Sequence, residues 1–106
     1  MKRHKKIIAI DFDGVIHNYS QGWADGSCYD LPVTGALYAI QSLANKGYKV
    51  VIFTARDDLK AVKDWFRQYY TEEGIPEITN KKPKAIAYID DRGIRFTNWT
   101  DILKYF

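Results

Sequence analysis

The chain has a single cysteine, Cys28, which excludes an internal disulfide and cannot build a thiolate zinc site on its own. Neither His4 nor His17 sits in a motif that would make it the partner of a cysteine nucleophile, so Cys28 reads as a bystander thiol. Long hydrophobic runs are also missing. The basic opening Lys2-Arg3-His4-Lys5-Lys6 gives way to only a few apolar residues before Asp11, which is neither a signal peptide nor a membrane span. The expectation is a cytoplasmic protein with no membrane partner. Internal repeats, linkers and low-complexity tracts are absent, and 106 residues suffice for one core but not for a second lobe. The net charge of +3 permits a phosphorylated partner without demanding one. The basic opening leads into the first strand and so lies opposite that strand's exit, where a solubilising role is enough.

What is present is organised around Ile7-Ile8-Ala9-Ile10-Asp11-Phe12-Asp13-Gly14. A continuous β-branched apolar run reads as a strand buried on both faces, and this one stops at two carboxylates and a glycine. In an open α/β sheet, ligands bind outside the carboxyl ends of the strands. Asp11 and Asp13, two apart in an extended chain, share a face, and Gly14 allows a sharp turn after them. Carboxylates this close repel unless a cation or a shared proton relieves them, and all-oxygen ligands point to Mg2+. Asp-Phe-Asp-Gly also suits a solvated turn, so the rest of the chain has to decide.

Residues 15–33 lack helical periodicity and are rich in Gly, Asp, Ser, Asn and Tyr. Their Trp and Tyr content predicts an ordered flap over the site, with residues 16–19 pairing with 27–30. Thr34 is expected to cap a helix over 35–46, with Leu37, Ile40, Leu43 and Ala44 inward and Gly47 as its stop. A second buried strand, 48–53, ends at Thr54-Ala55-Arg56. Asp57 and Asp58 open a helix whose stripe is Leu59, Val62, Trp65, Phe66 and Tyr69, ended by Gly74 and Pro76. A short strand over 75–79, a lysine-rich turn 80–84 and a third apolar strand 85–89 follow, the last stopping at Asp90-Asp91-Arg92. An edge strand over 93–97 and a final helix over 98–105, packing Trp99, Ile102 and Leu103 on the sheet, complete the reading. Alternating strands and helices imply a parallel sheet in a single α/β domain with helices on both faces. Asp11/Asp13, Thr54 and Asp90/Asp91 then share one rim.

In these residues the chain resembles the haloacid-dehalogenase-like (HAD) superfamily of aspartate-nucleophile phosphotransferases. Four motifs occur in order from Ile7 to about Phe96: Asp11-Phe12-Asp13-Gly14-Val15, a strand ending in Thr54, Lys82-Pro83, and a strand ending in Asp90-Asp91. The resemblance implies a three-layer Rossmann-like fold and assigns roles. Asp11 would be the nucleophile, forming an aspartyl-phosphate that water hydrolyses. Asp13 would act as general acid, then base. Thr54 would donate to a phosphoryl oxygen and Lys82 would neutralise charge, with Lys81 and Lys84 as possible replacements. Mg2+ would be held by the Asp11 side chain, the Asp13 backbone carbonyl and an acid of the last motif, Asp91 in preference to Asp90.

Neither interval that holds a cap domain in larger members has room for one here, and capless members generally act on macromolecules or bulky substrates. Thr-Ala-Arg and Asp-Asp-Arg are most similar to the phosphatase half of polynucleotide kinase-phosphatases. That similarity implies a nucleotide or nucleic-acid terminal phosphate as substrate, with Gly14, Ala55, Arg56 and Arg92 meeting it. Arg56 could equally pair with Asp57 or Asp90, and Arg92 could tie down its own loop. His17, Tyr19, Trp23 and Tyr29 offer surfaces for a stacked base, or core packing. The alternatives are a phosphatase for a phosphoprotein or phosphosugar, phosphoryl transfer to an acceptor other than water, and a non-catalytic phosphate- or partner-binding module.

Overall fold

A computed structural model describes residues 5–70 and 74–106. The basic residues Lys2 to His4 lie outside the described residues. In chain order the elements are β1 (Ile7–Asp11), α1 (Ala36–Asn45), β2 (Lys49–Phe53), α2 (Leu59–Tyr69), β3 (Glu77–Thr79), β4 (Ala87–Ile89) and α3 (Trp99–Leu103). The strands form one all-parallel sheet in the order β3-β2-β1-β4. The Asp11 strand is therefore central, and β1 pairs in register with β2 from Ile7 opposite Lys49 to Asp11 opposite Phe53.

Side chains alternate across a strand, so one face of the sheet carries Ile8, Ile10, Val50, Ile52 and Ile78. On that face they meet Ile40 of α1 and Val62, Trp65 and Phe66 of α2, which form the core. α2 starts as its sequence predicts: the Asp58 carboxylate accepts from the Ala61 amide at 3.1 Å. Asp58→Ala should cost about 1 kcal/mol by exposing that amide, read as a fall in melting temperature of about 5 °C; an unchanged melting temperature would contradict the cap. α1 also stops where predicted, with the Gly47 amide on the Ala44 carbonyl and the Tyr48 amide on that of Leu43. Its start differs. Gly35, at φ +85°, takes the cap position, no side chain caps the helix, and Thr34 is exposed.

Three further expectations need correction. The flap pairs with a later segment than predicted, 31–33 in place of 27–30: His17 bridges Pro32, the Asn18 amide donates to Leu31 and the Val33 amide to Ile16. Asp30, expected in that ladder, has its backbone N–H and C=O taken by the side chains of His17 and Trp65. No edge strand forms over 93–97. Finally, helices on both faces are expected, yet α1 and α2 both pack on the Ile8 face. α3 buries no side chain; Trp99 and Leu103 are 69% and 67% exposed. Residues 80–86 carry the chain from β3 to β4 across the sheet, too short a path to include a helix as well. The radius of gyration, 15.1 Å, exceeds the roughly 13 Å of a close-packed domain this size, as an unpacked limb beyond β4 requires. Among the described residues, no helix is long and apolar enough to cross a membrane.

Candidate active site

At the carboxyl end of β1 the Phe12 carbonyl accepts from the amides of Val15, Ile16 and His17, so the chain makes one tight turn immediately after Asp11. Gly14 is required in that turn for two reasons. Its φ is +84°, and a Cβ there would lie 2.4 Å from an Asp91 carboxylate oxygen. The side chain after β4 thus rests against the backbone after β1. Asp90 behaves differently: its Oδ1 accepts from the amides of both Arg92 and Gly93 in its own turn. The two acids thus differ in surroundings: the Asp91 carboxylate lies against Gly14, and Asp90 accepts within its own turn.

These residues open on a cleft of about 1190 Å³. Asp11, Asp13, Ala55, Lys82, Asp90, Asp91 and Arg92 all line it, together with Tyr19, Phe53 and Tyr88. Gly14, Thr54 and Arg56 do not. Of the three lysines in the 80–84 turn only Lys82 lines the cleft, its ammonium 4.7 Å from the centre of the Tyr88 ring. Thr54 is buried under the rim, where its hydroxyl accepts from the Arg56 amide at 3.1 Å and fixes the turn into α2.

Burial raises Asp11 to about 6 from the ordinary 3.8, opposed by the Phe12 amide it accepts and reinforced by the negative charge of Asp91, Asp13 and Asp90. Such a half-buried acid among three others is a site short of positive charge. Asp13, by contrast, is held by three N–H donors. Arg56 Nε reaches Oδ2 at 2.8 Å, Arg56 Nη2 reaches Oδ1 at 3.1 Å, and His17 Nδ1 lies 2.9 Å from Oδ1.

Arg56 is 5% exposed, and its guanidinium faces Asp13 and not the open cleft. Its remaining nitrogen Nη1 donates to the Gly26 carbonyl at 2.6 Å, and the guanidinium carbon Cζ lies 4.8 Å from the centre of the Trp23 ring. One side chain therefore ties the flap to the carboxylate. This pair does not emerge from sequence reading, which offers Asp57 or Asp90 as partners of Arg56; the burial of His17 matches the core-packing reading of that residue. The available signal for its bond to Asp13 is the Asp13-x-x-x-His17 spacing, informative only once the turn after β1 is known. Burial pushes the half-buried Cys28 thiol up, in keeping with a bystander.

No group of three or more His, Cys, Asp or Glu side chains suited to a metal gathers among the described residues. Asp11, the last residue of β1, and Asp91, two residues beyond β4, carry hard oxygen donors, so a cation here would draw its other ligands from backbone oxygen, water or substrate. Compared with protein-family models, with curated proteins and with solved structures, the chain matches none.

Proposed function

We propose that this protein is a Mg2+-dependent phosphomonoester hydrolase of the HAD-like type, working through an aspartyl-phosphate. We further propose a nucleotide or nucleic-acid terminal phosphate as its substrate. On this reading the parallel sheet is the Rossmann-like core of a capless domain. The observation that carries the proposal is the convergence of Asp11, Asp13, Asp91 and Lys82 on one cleft at the carboxyl edge of the sheet.

The chemistry follows from the residues. An Asp11 carboxylate oxygen attacks phosphorus, the bond from phosphorus to the ester oxygen breaks, and the departing oxygen takes a proton from Asp13. Water then attacks the phospho-Asp11, passing its proton to Asp13, and inorganic phosphate leaves with Asp11 restored. Of the Asp13 oxygens, Oδ1 already receives two donors and Oδ2 one, so the open lone pair for proton transfer is on Oδ2. Lys82, which lines the cleft, offsets phosphate charge, and Arg92 is a second cation on the same lining. Mg2+ would be held by Asp11, Asp91 and the Asp13 carbonyl, and supplies the positive charge that lets an anionic ester approach an anionic nucleophile.

One observation favours a second reading, a non-catalytic phosphate-binding module: both Asp13 oxygens are engaged by Arg56. Phosphate release decides between them. Across 3′- and 5′-phosphorylated nucleotides and oligonucleotides, sugar phosphates and phosphopeptides, with and without Mg2+, the expected result is Mg2+-dependent release strongest with nucleic-acid ends. Release from no ester under any condition supports the module, and release from sugar phosphates alone overturns the substrate assignment.

A further inference from the structure

His17 is fully buried, 0% exposed, and belongs to the flap. Its ring stacks on Phe12 at 5.1 Å between centroids and 7° between planes, with Tyr29 and Trp65 edge-on. In that apolar box both ring nitrogens are used. The Asp30 backbone N–H, which can only donate, lies 2.9 Å from Nε2, so Nε2 is the unprotonated nitrogen. The proton is therefore on Nδ1, where it donates to Asp13 Oδ1 at 2.9 Å. The following peptide unit is held as well, because the Trp65 indole N–H donates to the Asp30 carbonyl at 2.8 Å.

A donor chain runs from α2 to the rim with every link in one sense: Trp65 to the Asp30 carbonyl, the Asp30 amide to His17, and His17 to Asp13. We propose that His17 is a positioning residue for Asp13, a neutral imidazole whose tautomer is set by the Asp30 amide and which pins Oδ1 so that Oδ2 serves the cleft. This rests on the reading of Asp13 as the general acid. Arg56 holds both carboxylate oxygens and is itself tied to the flap through Gly26 and Trp23. His17 adds a second anchor, from a ring that Phe12, Trp65 and Asp30 hold in place.

Two variants separate this role from packing. His17→Phe keeps an aromatic ring against Phe12 and removes the donor. His17→Asn restores an N–H near the position of Nδ1 and removes the ring. General acid catalysis is needed for a poor alkoxide leaving group and much less for a stabilised aryloxide. With His17→Phe, kcat on an alkyl phosphate should fall about 100-fold, a loss at least about ten times larger than on an aryl phosphate with an acidic leaving group. His17→Asn should recover most of that difference. Equal losses on the two esters, or no recovery with Asn, overturn the proposal and reduce His17 to a packing residue.

A second readout is independent of turnover. Nitrogen-15 NMR of the metal-free wild type should find Nδ1 protonated and Nε2 bare at neutral pH; the opposite tautomer or an imidazolium overturns the assignment. A wild type inert on every ester overturns the phosphatase reading, and with it this role. That outcome is distinct from an active wild type whose His17 variants show no dependence on the leaving group.

Discussion

Asp11→Asn is expected to stop phosphate release, by more than about 1000-fold, as loss of a covalent nucleophile does, and in the same stroke to stabilise the metal-free protein. The second effect follows from the environment of the first. Burial, and then the charge of Asp91, Asp13 and Asp90, raises Asp11 to about 6 from the 3.8 it has when unfolded. The native state thus binds this proton more tightly than the unfolded chain does. Its contribution to stability is complete below about pH 4 and is lost as the pH rises through 6.

An upper bound on that loss is about 3 kcal/mol, and solvent on the open side of the group reduces the expectation to about 1 kcal/mol. Asparagine keeps the oxygen that accepts from Phe12 and removes the charge. At pH 7.5 without metal, Asp11→Asn should melt about 5 °C above wild type, and the decline in wild-type stability between pH 4.5 and 7 should flatten. Asp25, Asp30, Asp64 and Asp101 have lowered values, so their effects fall below that window. A variant that melts at or below wild type, with the pH slope intact, contradicts the picture of a site short of positive charge.

The second large effect is expected at Arg56. Arg56→Ala removes both N–H donors that the guanidinium gives Asp13, the tie to Gly26 and the surface against Trp23. Breaking a buried pair strands the partner charge, which costs about 3 kcal/mol, and the melting temperature should fall by about 10 °C or more. Because most of this is the stranded carboxylate, Arg56→Ala combined with Asp13→Asn should be less destabilised than Arg56→Ala alone. Limited proteolysis should also find new cleavage near Gly26, whose carbonyl loses its anchor. A single variant within about 0.5 kcal/mol of wild type would mean that Arg56 does not hold the flap.

The parts of the fold legible in the sequence are those set by local chemistry. Burial of Ile8, Ile10, Val50 and Ile52 follows from continuous β-branched runs, and the α2 stripe from its spacing and the Asp58 cap. The chain reversal at Gly47 follows from glycine at the end of a periodic segment. What could not be read depends on partners distant in sequence. The flap register turns on the Trp65 indole taking the Asp30 carbonyl across 35 positions, and Arg56 meets Asp13 across 43. The segment beyond β4 misleads for another reason. Ile94, Phe96 and Trp99 have the composition of packed elements, and all three are exposed. In the candidate site, the gathering of the acids after β1 and β4 on one cleft was legible because a parallel sheet aligns its strand ends, whereas Lys82, in the turn before β4, was singled out by the resemblance alone. Which of Asp90 and Asp91 turns toward β1 does not follow from spacing, since adjacent residues differ only in where the turn points them; the preference for Asp91 came with the resemblance.

The central claim is a covalent phosphate on Asp11, and the most direct measurement is to trap it. The wild type is mixed with Mg2+ and the best phosphate ester of the panel, quenched in acid within one turnover, and digested for tandem mass spectrometry. The account predicts a phosphoryl group on the peptide containing Asp11, localised to that residue, absent when substrate is omitted and absent in Asp11→Asn. Rapid turnover with no phosphorylated Asp11 at any quench time, or an Asp11→Asn protein that still releases phosphate at the wild-type rate, contradicts it.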